Sequence, residues 1–180
     1  MPYELQALIG SAELLAVAAA EVPVARLAPL SQGLALIPAT PAFLAALAYQ
    51  VGGSEGALGD AAGFDWLPDG SGRRLAAWSK AGPIACVEAC FFGGSGTQRA
   101  AVWADGRLVL GPLTSAEFAP FPPEGSPISR ALRRLGAHVE PARADRADRA
   151  DKVDGAHHVD EFEAVGLPAH RSTARWAAPA

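Results

Sequence analysis

The chain has 180 residues, half of them apolar, with 15 Lys+Arg against 19 Asp+Glu and a formal net charge of -4. That length suits one domain, residues 1–180, with a continuous buried core. A mildly acidic chain without a long basic block lacks the general attraction to phosphate backbones, so no nucleic-acid partner is expected.

The N-terminus, MPYELQALIGSAELL, holds Glu4 and no Lys or Arg before Arg26, so it lacks the charged leader of a secretory signal and predicts a cytoplasmic protein. Tyr3 to Ile9 reads as a strand. Ser11 suits the N-cap of a helix over AELLAVAAAE, with Leu14, Leu15 and Ala18 on one face. Residues 27–54 carry no charged side chain, yet Pro29, Gly33, Pro38 and Pro41 cut the run into pieces too short to span a bilayer, and no membrane association is expected. Within it, GLALI predicts a second strand, and Thr40-Pro41 opens a helix over 41–50 presenting Phe43, Leu44, Leu47 and Ala48. Two strand–helix units in succession predict a partly parallel sheet.

Residues 51–72 are glycine-rich and punctuated by Asp60, Asp65 and Asp69, which predicts a loop, with Phe64 and Trp66 pinning it to the body. Ser71 is then the expected cap of a helix RRLAAWSKA that turns Leu75 and Trp78 inward and stops at Gly82-Pro83.

The run PIACVEACFFGGSGTQRAAVWADGRLVL follows. Alternation puts Ile84, Cys86, Glu88, Cys90 and Phe92 on one face of a strand and Ala85, Val87, Ala89 and Phe91 on the other, so both sides are covered. Asp105-Gly106 reads as a type I′ hairpin turn, setting Trp103 opposite Leu108, Val102 opposite Val109 and Ala101 opposite Leu110. Cys86 and Cys90, extended on one strand, lie about 13 Å apart and beyond disulfide reach, so both are expected to be free thiols.

Residues 111–127, with five prolines, predict an extended surface connection. Ser126-Pro127 opens a helix ISRALRRL with Ile128, Ala131, Leu132 and Leu135 inward, its arginines outward and Gly136 as its stop. ARADRADRADK repeats with a period of three and buries no face, so residues 142–156 are expected to form a disordered insert. VDEFEAV predicts a short helix with Val159, Phe162 and Val165 on one side, closed by Gly166-Leu167-Pro168, and Trp176 is the last expected core contact.

Candidate chemistry gathers at the Gly93-Gly94-Ser95-Gly96-Thr97 loop and at Glu88. Glycines let backbone N–H groups approach an anion, but a glycine-rich connection between antiparallel strands offers no helix N-terminus and is more simply a turn. Ser95 fails the G-x-S-x-G elbow because position 97 is Thr and a strand follows. Glu88, on an otherwise apolar strand, needs a partner, and Arg99 on the neighbouring strand is the structural one. His157, His158, Asp160, Glu161, Glu163 and His170 match no metal-ligand spacing, so no metal is expected.

The central run, followed after LRRLG by DEFEAVGLPAHRSTARW, resembles a family of small uncharacterised bacterial proteins of the cytosol. These share a glutamate-bearing strand, an aromatic-Gly-Gly-x-Gly-x-Gln turn, a strand ending in Val-Trp, and closing Asp-Glu-Phe and His-Arg segments. The likeness covers residues 71–176 apart from the Ala-Asp-Arg insert and is carried by Glu88, Gly93, Gly94, Gly96, Gln98, Trp103, Asp160, Glu161, Phe162, His170 and Arg171. The resemblance implies an immunity or accessory role beside another protein.

Together these readings predict an α/β (or α+β) fold, a mixed sheet of about five strands ending in an antiparallel meander and covered by helices. The expected function is binding of a protein partner without catalysis and without a cofactor. The alternative is an enzyme or small-ligand binder using Glu88 near the Gly93–Thr97 loop, with Gln98, His170 or Arg171 orienting substrate.

Overall fold

A computed structural model describes residues 2–51, 63–92, 95–120, 122–139 and 160–178. Gly93, Gly94, most of the glycine-rich loop, His157, His158 and the 142–156 insert lie outside the described residues, and so do the expectations placed on them.

Six strands form one sheet: β1 (Tyr3–Ser11), β2 (Ala28–Pro29), β3 (Leu34–Pro38), β4 (Ile84–Phe92), β5 (Ser95–Ala104) and β6 (Arg107–Ser115), in the order β2-β3-β1-β4-β5-β6. The α/β class and the closing meander β4-β5-β6 are as expected. The partly parallel sheet is not, because all five pairings are antiparallel. The physical reason lies in strand insertion. Since β2 and β1 are each antiparallel to β3, they share one direction, as a strand–helix–strand unit demands, but β3 sits between them. In the same way β3 and β4 run alike with β1 between them. Proline-bearing β2, only two residues long, is the strand that periodicity could not reveal.

Six α-helices lie among the described residues, split between the two faces. On one face α1 (Ala12–Glu21), α2 (Pro41–Val51) and α3 (Ser71–Trp78) bury Leu15, Phe43, Leu47, Leu75 and Trp78 against Leu8, Ile37, Cys86 and Ala101 of the sheet. On the other, α4 (Pro127–Arg134), α5 (Glu161–Ala164), a 3-10 turn (Leu167–Ala169) and α6 (Thr173–Ala177) bring Ile128, Leu132, Val165, Leu167 and Trp176 onto Leu5, Leu36, Val87 and Val102. The central strands are therefore apolar on both sides, which is why β4 and β3 read as continuous apolar runs.

Several helix starts follow their sequence signals. The Ser11 hydroxyl accepts from Leu14 N (3.2 Å), Thr40 Oγ1 from Phe43 N (3.2 Å) and Ser126 Oγ from Ser129 N (3.2 Å). Ser71 does not act as a cap: α3 begins with it, one turn edge inside the predicted loop, and the capping position is Gly70, whose φ of 81° a side chain would disfavour. Phe64 and Trp66 pack on the α1–α3 core as expected.

The Asp105-Gly106 turn has positive φ at both residues (52° and 78°), and Trp103 faces Leu108 as predicted. The two further pairs do not form. Val102 faces Leu110 and Ala100 faces Leu113, because β6 bulges twice and so gains residues on β5. The second bulge uses Gly111 at φ 87°, where a Cβ would meet Leu113 N at 2.8 Å. This bulge carries the strand through Gly111-Pro112 to Ser115, so the extended connection starts at residue 116 and not at 111.

Candidate functional site

Glu88 points to the α1–α3 side of the sheet, past the covered end. Its register partners are Gln6 on β1 and Arg99 on β5. Gln6 Nε2 donates to Glu88 Oε1 at 3.1 Å. Arg99 stands directly opposite but turns away: its guanidinium donates to Gly63 O, lies 4.0 Å from Asp65 Oδ2 and covers the Phe64 ring at 5.9 Å. The expected Glu88–Arg99 bridge is thus absent among the described residues, and a neutral amide holds the carboxylate. Behind Glu88 the Cys86 thiol has its pKa pushed up, first by complete burial and then by the negative charge of Glu88.

Gln98 is one position out of phase with Glu88's partner and faces the opposite side of the sheet. Its Oε1 accepts from Ile128 N at 3.1 Å, and its backbone N–H donates to Ser115 Oγ at 2.9 Å. With Ser126 on Ser129 N and proline at the first helical position, Gln98 completes the accounting of donors at the start of α4. His170 packs edge-on against Trp176, with ring centroids 4.6 Å apart, and Arg171 offers its carbonyl to Glu4 N at 2.8 Å. Glu88, Gln98 and His170 therefore serve three different places, and the four catalytic candidates do not line one cavity.

Asp160 and Glu161 serve packing. Ser129 Oγ donates to Asp160 Oδ2 (2.9 Å), Asp160 Oδ1 accepts from Glu163 N (3.2 Å), and Glu161 pairs with Arg133 Nε at 3.0 Å, so these acids lock α5 onto α4. No cluster of three or more His, Cys, Asp or Glu side chains placed to hold a metal occurs among the described residues. No helix among them is long and apolar enough to cross a membrane.

The glycine-rich connection is shorter than its sequence suggests. Ser95, Gly96 and Thr97 belong to β5, opposite Phe92, Phe91 and Cys90, leaving only positions 93 and 94 between the strands. Gly96 is required by contact: a Cβ there would collide with Cys90 O and with Phe91. Around this tip the structure assembles what the sequence left scattered. Ser95 Oγ donates to Glu117 Oε1 at 3.1 Å and approaches Phe92 O at 3.4 Å, which joins the hairpin tip to the segment after β6. Phe92 is 73% exposed and Phe118 84%, and Phe118 is held at φ 61°, a conformation that costs an ordinary residue about 1–2 kcal/mol. Beside Phe118 opens a cleft of about 360 Å³ walled by Phe91, Gly96, Phe118, Pro120, Pro122 and Pro127, whereas Phe92, one position out of phase with Phe91, projects from the other face of β4. Phe118 and Glu117 were invisible in the sequence as site residues because nothing local brings them to the tip. The antiparallel return of β6 along β5, which sets Ser115 opposite Gln98, does so.

Comparison of the chain with protein families, with curated proteins and with solved structures finds no match.

Proposed function

We propose that this chain is a non-catalytic protein-binding protein of the bacterial cytosol, of the immunity or accessory type that its sequence resemblance implies, and that it engages its partner through the β4–β5 tip. The observation carrying this reading is the exposure of two large aromatics at this end of the sheet, Phe92 opposite Ser95 and Phe118 next to Glu117, with the Ser95–Glu117 hydrogen bond joining their segments. Large aromatic side chains are the usual anchors of protein interfaces, and each well-buried anchor is worth about 2 kcal/mol or more. A positive φ at an exposed aromatic is a cost that solvent contact alone does not offset. The separation of Glu88, Gln98 and His170 removes the support for a shared catalytic centre.

The test is purification of the tagged chain from cells that naturally express it, wild type beside Phe92→Ser/Phe118→Ser. The reading predicts one companion polypeptide near equal stoichiometry, lost in the double variant while the thermal midpoint stays put, as for exposed sites. A companion unaffected by the double substitution, or no stoichiometric companion, refutes it.

A further inference from the structure

The edge of the sheet farthest from the tip holds a second concavity, of about 720 Å³, between the segment leading through β2 and the α5–α6 region. Its volume lies in the range of small-molecule sites. Three of its lining side chains are basic, Arg26, His170 and Arg175, and no Asp or Glu is among its lining residues. In a chain with a net charge of -4 this is a local inversion of sign. Neither arginine is engaged by a carboxylate among the described residues. The Ser31 hydroxyl stands on the same wall.

The floor is aromatic. Trp176 is over nine-tenths buried and forms part of the lining. His170 stands edge-on to the same ring, which fixes its imidazole at the pocket wall. The remaining lining, including Leu30, Val165 and Ala169, is apolar.

We infer that this pocket binds a small organic oxyanion, a carboxylate or phosphate head on an apolar body, with Arg26 and Arg175 clamping the head and the body lying against the Trp176 wall. The chemistry follows from the donors. Guanidinium groups recognise planar carboxylates and phosphates through paired N–H donors, and a concave wall of one charge sign concentrates such anions. A basic pocket with an apolar wall selects an amphiphilic anion over a bare ion. The site is independent of the tip surface, so the two readings fail separately.

The test is titration of the full chain with phenyl phosphate, phenylacetate and the neutral phenylacetamide, followed by tryptophan fluorescence and calorimetry. Saturable binding of at least one oxyanion, with phenylacetamide inert, is expected, and the oxyanion that binds identifies the head group. Arg26→Gln/Arg175→Gln should weaken that binding by about tenfold or more, given charge-assisted contacts. Both arginines are exposed, so the variant should keep its fold, which circular dichroism checks. Equal binding of phenylacetamide, no binding of either oxyanion, or unchanged affinity in the double-arginine variant overturns the assignment.

Discussion

Gln98→Met tests whether this glutamine is structural. The substitution preserves length and most apolar contact while deleting the acceptor for Ile128 N. Ile128 is fully buried, so its N–H would lose its partner without gaining water. A buried donor left unpaired costs about 1–3 kcal/mol. With a urea m-value of about 2 kcal/mol/M, the unfolding midpoint should fall by about 0.5–1.5 M. Gln98→Glu supplies the rescue, because a carboxylate keeps an acceptor and suits the positive end of the α4 dipole, so it should retain most of the wild-type midpoint. Urea unfolding followed by circular dichroism at 222 nm, a wavelength that reports helix, reads all three proteins. A Gln98→Met midpoint equal to wild type, or Gln98→Glu as damaging as Gln98→Met, would refute the capping role.

Three further outcomes are expected. Cys90 is exposed and Cys86 buried, so Ellman's reagent should find one fast thiol in the native protein and the second only in denaturant; two fast thiols would contradict the packing of β4. Because the folded Cys86 pKa is raised, by burial first and Glu88 second, its contribution to stability is complete below the unfolded thiol value of about 8.5 and is lost as pH rises above it. Stability should therefore decline from that pH upward, less so in Cys86→Ala, and an identical alkaline slope in the two proteins would contradict this. Gly111→Ala forces a Cβ at φ 87° to within 2.8 Å of Leu113 N, and should lower the thermal midpoint by about 3–10 °C; an unchanged midpoint would mean that β6 does not bulge there.

Much of the fold was legible in the residues. Ser11, Thr40-Pro41 and Ser126-Pro127 announce helices because a hydroxyl before an apolar-periodic run has one good use, and Asp105-Gly106 announces a hairpin because both positions need positive φ. What stayed hidden depends on distant contacts. The pairing order is hidden because an inserted strand leaves no trace in local periodicity, and the β6 bulges because the apolar run Leu108-Val109-Leu110 does not mark which of its residues is left unpaired.

The site was less legible for the same reason. Glu88 stands out in sequence as a charge on an apolar strand, and the structure gives it an amide partner, Gln6, that is 82 positions away. Gln98 and His170 look chemically capable, yet one completes a helix terminus and the other packs on an indole. The two exposed aromatics and the basic pocket arise from segments far apart in the chain, Phe92 and Phe118 in the first case and Arg26 and Arg175 in the second. Residue type signals neither.

The most direct test of the protein-binding account places a photo-cross-linking benzoylphenylalanine at position 92, 118 or 17 and irradiates cells that naturally express the protein. Position 17 is exposed on α1, away from the tip, and serves as the control. The account predicts one adduct containing the same second polypeptide from positions 92 and 118, and none of it from 17. Adducts absent from both tip positions, or identical from all three, would contradict it.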